Sequence, residues 1–144
     1  MIVQIDKAND AKIYGNKAKG LYDLTQLGLP VPEGFAIPFS TRKNEIAAYV
    51  KRNCSAKKIY AVRSSSNAED SENHSFAGLF DTFIGVGRKD LLKMVDSVKK
   101  MKGNKRILEF CKKMKKKVSE IQIAIIVQEL ISSEKSGVCF TKNP

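Results

Sequence analysis

The sequence predicts an α+β fold, and three observations carry that prediction. Short apolar segments bounded by Gly, Pro and Ser recur along the chain, amphipathic helical stretches stand between them, and the two do not alternate regularly as a parallel βαβ sheet would require. No internal repeat and no Gly/Ser linker divides the 144 residues, a length that fits one compact domain.

Ile2 to Ile5 reads as a short first strand. Gly15-Asn16-Lys17-Ala18-Lys19-Gly20 opens a helical stretch that should end near Gly28, with Leu21, Leu24 and Leu27 as its expected buried stripe. Pro30 and Pro32 pin a turn that feeds the strand Phe35 to Ile37, and a helix follows from about Thr41 to Lys51. Ile59 to Arg63 is an apolar strand running into a polar loop, Ser64 to Ser75; Thr82 to Val86 is the next strand. Further on, Leu91, Val95, Val98 and Met101 fall at helical spacing, Gly103-Asn104 interrupts, and Ile107, Cys111, Met114 and Val118 resume the pattern. Two amphipathic helices with lysine-covered outer faces follow. Ile121 to Gln128 is a continuous apolar run of strand type, Ser132 to Ser136 turns the chain, and Gly137 to Thr141 returns as its hairpin partner.

The composition narrows the function classes. With 42% hydrophobic and 28% charged residues the chain reads as globular rather than disordered. No apolar run reaches the roughly 18 residues that span a bilayer, and Met1 to Asp6 lacks the basic and apolar segments of a signal peptide. Cys54, Cys111 and Cys139 form no Cys-x-x-Cys pair, which argues against disulfide frameworks and zinc sites and for a reduced, cytoplasmic setting. The net charge of +11 is concentrated: Arg88 to Lys117 holds 13 Lys/Arg against 3 acidic residues, a local balance of +10. Only Phe110 is aromatic in that segment, and it sits in the apolar helix pattern, so solvated helix faces account for the lysines better than specific nucleic-acid binding does.

Two places carry chemistry. At Gly15-Asn16-Lys17 a glycine permits close backbone approach to an anion, the helix start offers amide donors, and the lysine supplies a mobile point charge for phosphate. A plain surface helix start has the same residues, and no P-loop pattern is present. In Ala61-Val62-Arg63-Ser64-Ser65-Ser66 an arginine ends an apolar strand and is followed by three hydroxyls, which puts a bidentate phosphate donor at a strand-to-loop edge. Downstream, Gly78 precedes Thr82 by four residues, a spacing suited to a phosphate-covering turn plus a hydroxyl. A polar surface loop beside a structural arginine is the alternative.

Three stretches, GNKAKGLYDLTQLGLPVPEGF (15–35), AVRSSSNAEDSENHSFAGLFDTFIGV (61–86) and IVQELISSEKSGVCFTKNP (126–144), resemble in order the N-terminal ATP-grasp region of phosphoenolpyruvate synthases, rifampicin phosphotransferases and glucan water dikinases. Pyruvate phosphate dikinase is similar too, although the loop after Arg63 lacks its Pro-Gly-Met-Met pattern. The resemblance implies an α+β lobe of an ATP-grasp domain, incomplete at its C-terminus. It divides residues 1–144 into a phosphate-binding part (1–87), a basic helical segment (88–118) and a hairpin with an adenine-side linker (119–144).

It also implies roles. Lys17 would hold ATP phosphates, Arg63 would be the catalytic arginine that stabilises the phosphoryl group, and Gly78 and Thr82 would line the phosphate side. Gln128, Glu129, Leu130 and Ile131 would form the linker whose backbone groups read the adenine edge. His74, the only histidine, stands where the family has no catalytic histidine and is assigned a structural or surface role. ATP is the implied cofactor, with Mg²⁺ expected only together with a second lobe. The implied activity is ATP-dependent phosphorylation of a histidine on a separate domain, the acceptor being pyruvate, an antibiotic or a glucan. Since the second lobe, the phosphohistidine domain and the acceptor domain would lie on other sequence, possible partners include a separate chain that carries them. Catalysis by these 144 residues alone is not expected. A non-catalytic nucleotide-binding or partner-docking module is the alternative reading, and a basic nucleic-acid-binding protein a more distant one.

Overall fold

The computed structural model describes residues 1–67, 82–113 and 117–137. Its elements run β1 (Val3–Gln4), α1 (Ala11–Gln26), β2 (Gly34–Pro38), α2 (Lys43–Asn53), β3 (Ile59–Ser66), β4 (Thr82–Gly87), α3 (Leu91–Met101), α4 (Lys105–Lys113) and β5 (Ile123–Glu129), with single 3₁₀ turns at Ile5–Lys7 and Val118–Glu120. The five strands form one sheet in the order β1-β2-β5-β3-β4, and every neighbouring pair is antiparallel. Helices and an antiparallel sheet make the fold α+β, as expected.

The apolar run Ile123–Val127 explains why the last strand lies in the middle. All five residues are buried, so both faces of β5 need cover. Fully burying each Ile or Val side chain contributes about 1.5–3 kcal/mol, a gain an edge position would not deliver in full. On one face, Ile125 and Val127 join Phe35, Ile37, Tyr60, Val62 and Val86, and this layer packs under α2 (Ile46, Val50) and α3 (Leu91, Val95, Val98). On the other face, Ile126 and Ala36 meet Tyr14 and Ala18 of α1. A third cluster, Ile107, Cys111, Ile121 and Ile123, seats α4 against the start of β5, with Phe39 at its margin.

Two expectations are corrected. Leu24 and Leu27 are 40% and 74% exposed, so the leucine stripe does not dock α1. The helix instead docks through Tyr14, Gly15 and Ala18, with Leu21 only at the edge of the contact, because small residues let it approach the sheet closely. Ser64, Ser65 and Ser66 belong to β3, not to a loop; all three are buried and pair with Ile125, Ala124 and Ile123 of β5. The apolar partner strand overrides the weak strand preference of serine. β2 and β3 flank β5 on its two edges; the return strand expected over Gly137 to Thr141 lies, beyond Gly137, outside the described residues.

The placement of the remaining elements stands. The helices at 43–53, 91–101 and 105–113 and the strands at 59–66, 82–87 and 123–129 fall where apolar periodicity placed them, with ends shifted by a few residues. Cys54 and Cys111 are buried and free. No helix among the described residues is long and apolar enough to cross a membrane.

Candidate functional site

The sheet face beneath α1 carries the candidate site. Along β3, alternation puts Ala61, Arg63 and Ser65 on one side and Tyr60, Val62 and Ser64 on the side of α2 and α3. Arg63 stands directly opposite Thr82 on β4 and Ile126 on β5, and Gln128 stands opposite Ala61. Directly opposed residues share a face, so Arg63, Thr82 and Gln128 lie on one surface.

Lys17 reaches that surface by way of α1. The helix is broken at Gly15, where φ is 79° and ψ is 167°. This is backbone that an L side chain adopts only at a cost. Gly15 is needed for a second reason: a Cβ there would overlap the hydroxyl and main chain of Ser65. Beyond the break, the helix restarts with Asn16, Lys17 and Ala18 as its first turn, and the buried Ala18 N–H donates to Ser65 Oγ at 3.1 Å. The lysine therefore sits one residue from a hydrogen bond to β3, two positions along that strand from Arg63.

Arg63 is half-buried, and its Nε is a buried donor with no hydrogen-bond partner among the described residues. A buried donor of this kind costs about 1–3 kcal/mol until an acceptor reaches it. An anionic ligand is an acceptor that suits a guanidinium.

The four linker residues behave differently from one another. Gln128 is buried and its Nε2 donates to Pro32 O at 3.0 Å. Glu129 turns to the opposite side, where Lys58 bridges it at 2.6 Å and Glu33 at 3.2 Å. Those carboxylates, Glu129 foremost, hold the Lys58 ammonium above the usual lysine range. The Glu129 N–H already donates to Glu33 O at 2.7 Å, and the Leu130 N–H to Ile59 O at 2.9 Å. Two of the amides expected to meet adenine are thus engaged within the fold. Ile131 is 57% exposed, and its N–H makes no bond to a backbone carbonyl among the described residues. Gly78 and His74 lie outside the described residues.

The structure thus puts Arg63, Thr82 and Gln128 on one face, with Lys17 next in sequence to the residue that bonds Ser65 of that face, and leaves Glu129 on the other. A cavity of about 470 Å³ opens on the Glu129 side, lined by Glu33, Phe35, Lys58 and Tyr60 among others, and it touches none of the phosphate candidates. The Arg63 Nε without a partner among the described residues therefore lies away from this cavity. Ser65 was not singled out in the sequence; the signal available was a glycine at a helix start, which has no side chain to cap its own first turn. Among the described residues, no three His, Cys, Asp or Glu side chains gather closely enough to hold a metal.

Comparison with known proteins decides the family. The model of the "Pyruvate phosphate dikinase, AMP/ATP-binding domain" family matches residues 40–144. The chain belongs to this family. The match covers Arg63, Thr82 and the linker, while Lys17 lies upstream of it. Among relatives, the "Uncharacterized phosphotransferase YvkC" of Bacillus subtilis is 31% identical over 93% of this chain and 20% of its own length. A "Probable phosphoenolpyruvate synthase" of Archaeoglobus fulgidus is 27% identical over 99% of the chain and 26% of its own length. The phosphoenolpyruvate synthase of Pyrococcus furiosus is 38% identical over 58% of the chain and 10% of its own length. The chain thus spans about a quarter or less of the curated relatives it matches. Membership in this family makes the chain part of an AMP/ATP-binding domain.

Proposed function

We propose that the chain forms the first lobe of an ATP-grasp site and grips the phosphates of ATP with Lys17 and Arg63. Its role would be to supply phosphoryl groups to a histidine on a separate domain. The observation that carries the reading is the buried Nε of Arg63, without a hydrogen-bond partner among the described residues, on the face that α1 covers. Phosphoryl transfer needs positioning and charge neutralisation more than covalent chemistry from the protein. A strand-borne guanidinium and a helix-borne ammonium, if both reach the phosphates, would supply both. Thr82, opposite Arg63, adds a hydroxyl, and Gly78, four residues earlier in the sequence, would line the phosphate side. Gln128 to Ile131 would form the adenine side, where the engaged amides of Glu129 and Leu130 leave the Ile131 N–H and the free carbonyl lone pairs to read the base.

In this reading the site is completed by a second lobe, and Mg²⁺ enters only with that lobe. The much greater length of the relatives supports such a division of labour. The test is calorimetric titration of ATP into the wild-type chain and Arg63→Ala. Charge-assisted bonds contribute about 1.5–3 kcal/mol each, so the variant should bind roughly ten- to a hundredfold more weakly. Unchanged affinity would remove Arg63 from the site.

A further inference from the structure

We infer that Ser65 is a positioning residue of the nucleotide site: its hydroxyl caps the restarted helix from the neighbouring strand and so holds Lys17 in register with Arg63. The inference rests on the proposed ATP-binding role of those two cations and goes beyond it, to what sets their spacing.

A helix start leaves its first amides without intrahelical acceptors, and the residue before it normally supplies a side-chain oxygen to the third of them. Here the residue before the first turn is Gly15, which has no side chain to offer. Ser65 supplies the missing oxygen from β3, accepting the Ala18 N–H in a setting where Ser65 and Ala18 are both fully buried. The contact is as close as it can be, because any side chain on Gly15 would strike Ser65. Glycine and serine therefore form one joint: the first lets the helix reach the strand, and the second fixes it there. Arg63 lies two residues before Ser65 on the same strand and face, and Lys17 is the residue before Ala18. A shift of the helix along β3 would move Lys17 but not Arg63.

The experiment is a double-mutant cycle on the full chain: wild type, Ser65→Ala, Lys17→Ala and the double variant, each titrated with ATP and with adenosine by NMR shift perturbation. Ser65→Ala should weaken ATP binding roughly threefold to tenfold, the range expected for one buried neutral hydrogen bond. In the Lys17→Ala background the same change should cost less than about twofold, since coupled residues are non-additive. Adenosine affinity should not move. Equal losses in both backgrounds, or parallel losses of ATP and adenosine, would show a purely structural serine and overturn the inference while leaving the ATP reading intact. Absence of ATP binding by the wild-type chain would instead remove that reading, and the inference with it. Should Ser65→Ala fail to fold, Ser65→Cys keeps the volume while weakening the acceptor, and the same cycle decides.

Discussion

At Gly15 two physical requirements meet, positive φ and contact with Ser65. Gly15→Ala should therefore destabilise the fold by about 2–4 kcal/mol, combining the left-handed backbone penalty with overpacking. Urea unfolding measures it; a change within about 0.5 kcal/mol, the usual surface value, would mean that the break in α1 can relax. Two lysines give a residue-scale test with opposite signs. Carboxylate partners raise Lys58, whereas burial lowers Lys99, whose ammonium donates to Thr41 O at 2.6 Å, with Asp96 pulling weakly the other way. The stabilisation from Lys58 is present below the unfolded lysine pKa and is lost as pH rises through its higher folded value. Lys99 does the reverse: between its lowered folded value and the unfolded one, the unfolded chain holds more protons, so stability rises with pH across that window. NMR titration of the two side chains should show Lys58 deprotonating above the ordinary lysine value and Lys99 below it.

Among the elements, β5 and α1 make the most direct contrast. Ile125 is fully buried in the central strand, and Ile125→Ala should cost about 2–5 kcal/mol through lost burial and the cavity left behind. Leu27→Ala, at a position 74% exposed, should stay within about 0.5 kcal/mol. A large loss at Leu27 would restore the leucine stripe as the docking face. These elements also show what a sequence makes legible. Continuous apolar runs such as Ile123–Val127, and periodic ones such as Leu91-Val95-Val98, announced their type because burial demands it. The docking face of α1 was not legible, because leucines surround much of the helix and the break at Gly15 decides which side approaches the sheet. Pairing order was hidden as well: β5 inserts between β2 and β3, contacts far apart in sequence that no local pattern encodes. The site divides in the same way. Motif picked out Lys17, Arg63, Thr82 and Gln128 as candidates, whereas the hydrogen bond from Ala18 to Ser65 exists only once helix and strand are docked.

Over the whole molecule, the sheet separates two surfaces of different character. Under α1 lie the candidate phosphate ligands. Behind α2 and α3 lies a strongly basic exterior, on which Lys89, Lys93, Lys100, Lys105, Arg106 and Lys112 are exposed. Some of that charge has structural work: Lys43 pairs with Asp96 at 2.7 Å, and Lys99 and Lys102 stand 5.7 and 4.9 Å from the centre of the Phe39 ring. A diffuse lysine surface without base-reading groups should bind duplex DNA only weakly and without sequence preference, with affinity falling steeply as salt rises. Nanomolar, sequence-selective binding near physiological salt would contradict this and give the basic face a specific partner.

The central claim is that the α1 side of the sheet holds ATP phosphates, and Lys17 tests it most directly because it lies upstream of the family match and depends on the helix joint for its place. ATP should be titrated calorimetrically into the wild-type chain and into Lys17→Ala under one buffer and salt. The account predicts binding weaker than micromolar for the wild type, where adenine has a single wall, and a further loss of roughly ten- to a hundredfold on removal of a charged phosphate partner. Equal affinities for the two proteins would contradict it.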